Sequence, residues 1–208
     1  MHNKPLICAP RAGIGAKLKI ALSAHTKNNK AAAMTIILGV DPGSQKTGFG
    51  LIEVTANRHR YITSGVIRLP TGALPARLDI IFKSLSSIIA EYSPAEAAVE
   101  EVFMAKSAGS ALKLGQARGA AVVACVSNGL IVAEYTARQI KKAVVGTGAA
   151  NKDQVQHMVK ILLKLPAAPQ EDAADALAAA ICHANSRQGL LTMAAPSGAT
   201  RMRRGRLT

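Results

Sequence analysis

The chain has 208 residues, enough for one domain with a substantial core, and carries a formal net charge of +14. Apolar residues make up 49% but aromatics only 3%, with no Trp, so the core is built from Ala, Val, Leu and Ile. Such a basic surface attracts polyanions. Part of the excess sits at the ends: residues 1–40 hold six Lys or Arg and no acid, and residues 176–208 hold five Arg and no acid. Cys8, Cys125 and Cys182 form no C-x-x-C pair, which speaks against a zinc site or a disulfide framework and fits a reducing, cytoplasmic setting. No apolar run approaches the ~18 residues of a membrane span.

Residues 1–33 are basic, Lys-rich and poorly periodic, without a clear order of n-region, h-region and cleavage site. They read as a dispensable, disordered or mis-started extension ahead of Met34. Strands are predicted over Thr35–Val40, Gly48–Thr55 and Arg60–Arg68, and Leu69-Pro70-Thr71-Gly72 breaks the third. Leu78, Ile81, Leu85, Ile88 and Ile89 have helical spacing between Leu74 and Glu91, and Ser93-Pro94 stops that helix. Ala97–Phe103 reads as a short buried strand, Ser107–Val126 as a long helix, Leu130–Tyr135 as a strand and Thr136–Val145 as a helix. Asn151 with Gln154 resembles a capping box opening a helix to Lys164. A last helix is expected over Glu171–Ser186, with 189–208 a disordered basic tail. Strands first, then strands alternating with helices, predict an α/β fold with a mixed central sheet over residues 34–188. His157 and His183 read as partly buried packing residues, and Cys125 and Cys182 as core thiols.

Four carboxylates stand out. Asp41 ends an apolar run and precedes the turn Pro42-Gly43-Ser44. A turn-forming aspartate is an equally good reading of it in isolation. Glu100 and Glu101 lie in a mostly apolar strand, where alternation sends one of them inward. A buried carboxylate is costly without a proton, a partner or a cation. Glu101 fits a solvated position. Asp172 and Asp175 share one face at the start of a helix. The helix dipole accounts for Asp172, but Asp175 sits amid Ala173, Ala174, Ala176, Leu177 and Ala178. Hard oxygen ligands from three elements suit Mg²⁺, with Mn²⁺ able to substitute, and two such ions support phosphodiester hydrolysis. Bound cations also reconcile an acidic cluster with a basic, nucleic-acid-seeking protein.

Four segments in order, Ile37-Leu38-Gly39-Val40-Asp41-Pro42-Gly43, Val99-Glu100-Glu101-Val102-Phe103-Met104-Ala105-Lys106, Ala111-Leu112-Lys113-Leu114-Gly115-Gln116-Ala117-Arg118-Gly119 and Asp172-Ala173-Ala174-Asp175-Ala176-Leu177-Ala178, resemble the RuvC family of Holliday-junction resolvases. The resemblance runs from Met34 to about Arg187. It implies an RNase H-like fold, with Asp41, Glu100, Asp172 and Asp175 as Mg²⁺-binding catalytic carboxylates. It further implies a homodimer that cuts opposed strands of a four-way DNA junction and works with a branch-migration complex in recombinational repair. The basic leader and Arg-rich tail have no counterpart in the family's core pattern.

Phe103 reads as core or, with the family's support, as an exposed wedge that stacks on unpaired bases. Lys141 and Lys152 resemble the family's basic residues near the scissile phosphate. Gly115 and Gly119 let another helix approach; intrachain packing is the ordinary meaning, and the resemblance favours a dimer seam. Three rival functions remain: a nucleotide-clamping ATPase or kinase suggested by Asp41-x-Gly43, a junction binder without catalysis, and an RNA-directed relative.

Overall fold

The fold is that of a computed structural model, which describes residues 34–56, 58–101 and 107–194, the last seven as helix backbone. The chain opens with an antiparallel meander, β1 (Thr35–Asp41), β2 (Lys46–Thr55) and β3 (Arg58–Arg68). Helix α1 (Leu74–Tyr92) then crosses over to β4 (Glu96–Glu101), which pairs parallel to β1. Helix α2 (Ala108–Ser127) leads to β5 (Ile131–Thr136), parallel to β4. Three helices follow: α3 (Ala137–Val145), α4 (Lys152–Leu162) and α5 (Glu171–Ala194). The sheet order is β3-β2-β1-β4-β5, the mixed arrangement expected from the sequence.

Strand alternation sorts the core into two layers. Ile37, Ile52 and Ala98 face α3, α4 and α5. Leu38, Val40, Leu51, Ala97 and Val99 face the other way, onto Ile81, Leu85 and Ile89 of α1 and Ala117, Ala121, Ala124 and Cys125 of α2. Each fully buried Leu or Ile is worth about 1.5–3 kcal/mol over leaving it in water. Cys125 and Cys182 are buried free thiols, as expected.

Helix ends follow local chemistry. Ser93 adopts a left-handed conformation (φ 49°) and donates its N–H to the Ile89 carbonyl, and Pro94 prevents continuation. Asn151 and Gln154 form the anticipated capping box on α4, and Thr136 with Gln139 forms a second one on α3. The last helix departs from expectation: it runs past Ser186 and through Gly189 to Ala194. One helical glycine costs only about 1 kcal/mol, and no proline intervenes before Pro196. His157 also departs, lying exposed on α4 rather than packed. Residues 1–33 and 195–208, where the sequence predicts disorder, lie outside the described residues, as do Val102 to Lys106.

Helix α5 lies very close to the sheet, and two glycines permit it. A Cβ on Gly39 would overlap the Ala176 carbonyl oxygen, and one on Gly48 would overlap that of Asp172. Only backbone fits in these places. The first turns of α5 are thereby pressed against the end of β1 where Asp41 sits.

Candidate active site

Asp41 closes β1 and Glu100 lies one step past Val99 on β4. Val40 and Val99 are register partners, so the next step along two parallel strands sets Asp41 and Glu100 side by side. Ligand sites of α/β sheets gather at this carboxyl end. Asp175 enters from α5, held near by the close approaches at Gly39 and Gly48. Asp41, Glu100 and Asp175 line one cleft of about 250 Å³ together with Lys141 of α3 and Lys152 of α4. Ala137, Ile140 and Val155 supply its apolar wall.

The three acids do not share this space comfortably. Burial, then the charges of Glu100, Asp175 and Asp172, push Asp41 up to about 8, against an opposing pull from Lys152. Burial and Asp175 push Glu100 up to about 7, with Lys152 and Lys141 opposing. Asp175 is also raised, chiefly by burial. Lys152, hydrogen-bonded to Glu171 and facing Asp175 and Asp41, is held above the ordinary lysine range. Like charges crowded in a poorly hydrated cleft are stabilised by protons or by cations.

Among the described residues, no three His, Cys, Asp or Glu side chains already stand at the spacing of a finished metal cage. The donor chemistry nonetheless fits a hard divalent ion. Three carboxylates from separate elements open on one cleft, each destabilised as an anion, and an added positive charge would relieve all three.

Asp172 takes a different place from the one expected. It is not part of the cleft lining; its carboxylate, one-third exposed, stands 4.0 Å from the Lys46 ammonium at the rim. Its charge still reaches Asp41. The i, i+3 spacing does place both acids on one helix face, but that face spans the cleft and its edge. Lys46 carries no motif of its own, although it opens β2 only five residues after Asp41. Glu101 points to the opposite side of β4 from Glu100 and is half-buried rather than fully solvated.

Behind the cleft runs a polar chain with no local sequence signal. Tyr135 Oη is 2.7 Å from His183 Nδ1, and His183 Nε2 is 2.7 Å from Glu96 Oε2. Arg187 reaches the other Glu96 oxygen at 3.3 Å. This ties α5 to β4 and β5, the elements that carry Asp175, Glu100 and the entry to α3.

Phe103 falls outside the described residues. Gly115 and Gly119 do not line the cleft and lie on the outward face of α2. A Cβ added at either would meet nothing within 4 Å. Leu112, Val123 and Val126 continue that stripe at 66%, 54% and 56% exposure.

Known proteins resemble this chain over most of its length. The family described as crossover junction endodeoxyribonuclease RuvC matches residues 37–183. The chain belongs to the RuvC family. Its relative from Teredinibacter turnerae, itself named crossover junction endodeoxyribonuclease RuvC, is 64% identical over 178 residues, covering 83% of this chain and 99% of the relative. The protein of the same name from Saccharophagus degradans is 62% identical over 175 residues, covering 84% and 99%. Among solved structures, T. thermophilus RuvC in complex with a Holliday junction superposes with a TM-score of 0.69 at 34% identity, covering 74% of this chain and 96% of that one. A yeast mitochondrial Holliday junction resolvase shares the fold, with a TM-score of 0.57 at 9% identity. The fold is the RNase H-like fold of RuvC, and a nuclease of this family replaces the nucleotide-clamping alternative.

Proposed function

We propose that this chain is a homodimeric resolvase that hydrolyses two opposed strands of a four-way DNA junction, using Mg²⁺ or Mn²⁺ held by its carboxylates. The observation that carries the reading is the convergence of Asp41, Glu100 and Asp175 on one cleft beside Lys141 and Lys152. Two divalent ions per subunit, when bound by these carboxylates, would supply Lewis-acid charge to the scissile phosphate. The ionised carboxylates of Asp41, Glu100 and Asp175 would hold these ions from within the cleft, with Asp172 joining them from its rim. Lys141 and Lys152 face the incoming phosphate and balance its charge while the strand is positioned. The apolar wall of Ala137, Ile140 and Val155 limits water and strengthens those interactions.

Phe103, two positions after Glu101 in the sequence, stacks on a base exposed at the crossover. The exposed α2 stripe with Gly115 and Gly119 meets its own copy across a two-fold axis. Symmetric paired cuts then follow from two cleavage sites on a symmetric junction. The partners are junction DNA, a second subunit and the branch-migration complex of the same repair pathway, in the cytoplasm.

The test is cleavage of a synthetic four-way junction with Mg²⁺, run beside linear duplex and an RNA–DNA hybrid. Paired nicks in opposed strands of the junction alone are expected. Preferential cutting of the hybrid would instead favour an RNA-directed enzyme, and binding without cutting would leave a junction-recognition protein.

A further inference from the structure

A second cleft, of about 430 Å³, opens where the β1–β2 connection, the end of β3 and the first turn of α1 meet. Lys46, Arg68 and Arg77 line it, with Gln45 and Thr71, and no acid takes part. Lys46 and Arg68 are register partners on β2 and β3, and the Leu69 amide donates to the Gln45 carbonyl at 3.0 Å, closing the strand ends around them. Among the described residues neither Arg68 nor Arg77 has an ion-pair partner. Arg77 Nε is buried without a hydrogen-bond acceptor. Helix α1 begins here with no side-chain cap and no acid in its first turn, so its free N–H groups add positive potential.

Three cations gathered in one hollow repel one another unless an anion joins them. The planar donor forks of Arg68 and Arg77, which line this hollow, are matched to phosphate oxygens. The location identifies which phosphate. Lys46 is also the residue 4.0 Å from Asp172, so the basic hollow adjoins the rim of the carboxylate cleft. Lys46, Arg68 and Arg77 therefore lie beside the carboxylate cleft, on the side of Asp172.

We propose that this hollow is a second phosphodiester-binding subsite, which grips the DNA backbone beside the scissile position and sets the register of the strand. The inference rests on the nuclease reading above. Phosphate contacts position a nucleic acid without reading its sequence, so the subsite acts equally on all junction sequences.

The test uses the full-length chain and four-way junctions of two unrelated sequences. Binding is measured against salt with Ca²⁺ in place of Mg²⁺, and steady-state cleavage with Mg²⁺. Arg68→Gln and Arg77→Gln are compared with Arg58→Gln, an exposed arginine at the far end of β3. Arg68→Gln and Arg77→Gln should weaken binding of both junctions alike, raise KM, and reduce the salt slope by about one for each phosphate no longer neutralised. Arg58→Gln should leave the slope unchanged. Equal slopes for Arg68→Gln and wild type overturn the subsite, as does an equal fall in Arg58→Gln, which would mark a diffuse charge effect. If Arg77→Gln melts early, the exposed Arg68 decides alone. Tight binding of inorganic phosphate that Arg68→Gln abolishes, with junction affinity unchanged, would assign a free-anion site and also overturn it. A wild type that cuts no junction removes the nuclease reading itself, an outcome distinct from a cutting enzyme whose variants bind normally.

Discussion

Two helices of this protein carry small residues to very different ends. On one side of the sheet α5 presses its Ala-rich face onto β1 and β2, and Gly39 and Gly48 touch helix backbone. On the other side α2 buries Ala117, Ala121 and Ala124, while Gly115 and Gly119 look outward into open space. The same residue types therefore mean intrachain precision in the first case and an uncovered surface in the second. A small-residue spacing says only that something approaches closely, and the partner must come from elsewhere in the fold. For α5 the partner is the sheet, and the consequence is that Asp175 is delivered to Asp41 and Glu100.

The sharpest way to break this contrast is to remove function without disturbing packing. Asp41→Asn should lower junction cleavage by ~10³-fold or more, the scale for losing one charge-stabilising group. Junction binding should persist, because phosphate contacts are separable from the chemistry; gel-shift and cleavage assays on one preparation check both. The converse change disturbs packing alone. Gly39→Ala places a methyl against α5 backbone, so a loss of about 3 kcal/mol in urea unfolding is expected, with cleavage falling as Asp175 is displaced. A Gly39→Ala protein as stable as wild type would show that α5 can retreat freely.

The pH dependence sharpens the same point from the electrostatic side. Asp41 and Glu100 have folded-state values of about 8 and 7, above their ordinary 3.8 and 4.5. The folded state therefore holds extra protons between roughly pH 4 and pH 8, and without divalent ions its stability should fall as pH rises through that window. The decline should exceed about 1.4 kcal/mol, the worth of one pKa unit. Stabilisation by Mn²⁺ should grow across the same range, since ions and protons compete for the carboxylates. Thermal melts at pH 5 and pH 8, with and without Mn²⁺, measure this. A flat profile would mean that the cleft is better hydrated than its burial suggests.

The smallest effect is expected at α2. Gly119→Ala should leave monomer stability unchanged or raise it by up to about 1 kcal/mol, since alanine is the better helix former and nothing opposes its methyl. Sedimentation should nevertheless show weaker self-association if this stripe is the dimer seam.

Much of the fold and of the site is legible from local pattern. Ile37 and Leu38 announce a strand buried on both faces, and Asn151 with Gln154 announces a helix start. Asp41, Glu100 and Asp175 are conspicuous because each is an acid within an apolar segment, which local structure alone does not explain. What stays hidden depends on long-range geometry or on permissive chemistry. Glu96 and His183 are 87 residues apart, and nothing near either predicts their hydrogen bond. Asp172 shares a helix face with Asp175 in sequence, yet its carboxylate stands at the rim beside Lys46, a placement that i, i+3 spacing alone does not reveal. The extension of α5 through Gly189 escapes the local pattern because a glycine weakens a helix without ending it. His157 reads as a packing residue in sequence, but α4 turns it outward.

Cleavage by this protein requires divalent ions to enter the space between Asp41, Glu100 and Asp175. Anomalous scattering from crystals soaked in Mn²⁺ at pH 8 tests this directly. Mn²⁺ peaks within that cleft, absent from Asp41→Asn crystals, are the predicted result. A cleft free of Mn²⁺ at concentrations where the enzyme in solution cuts a junction would contradict it.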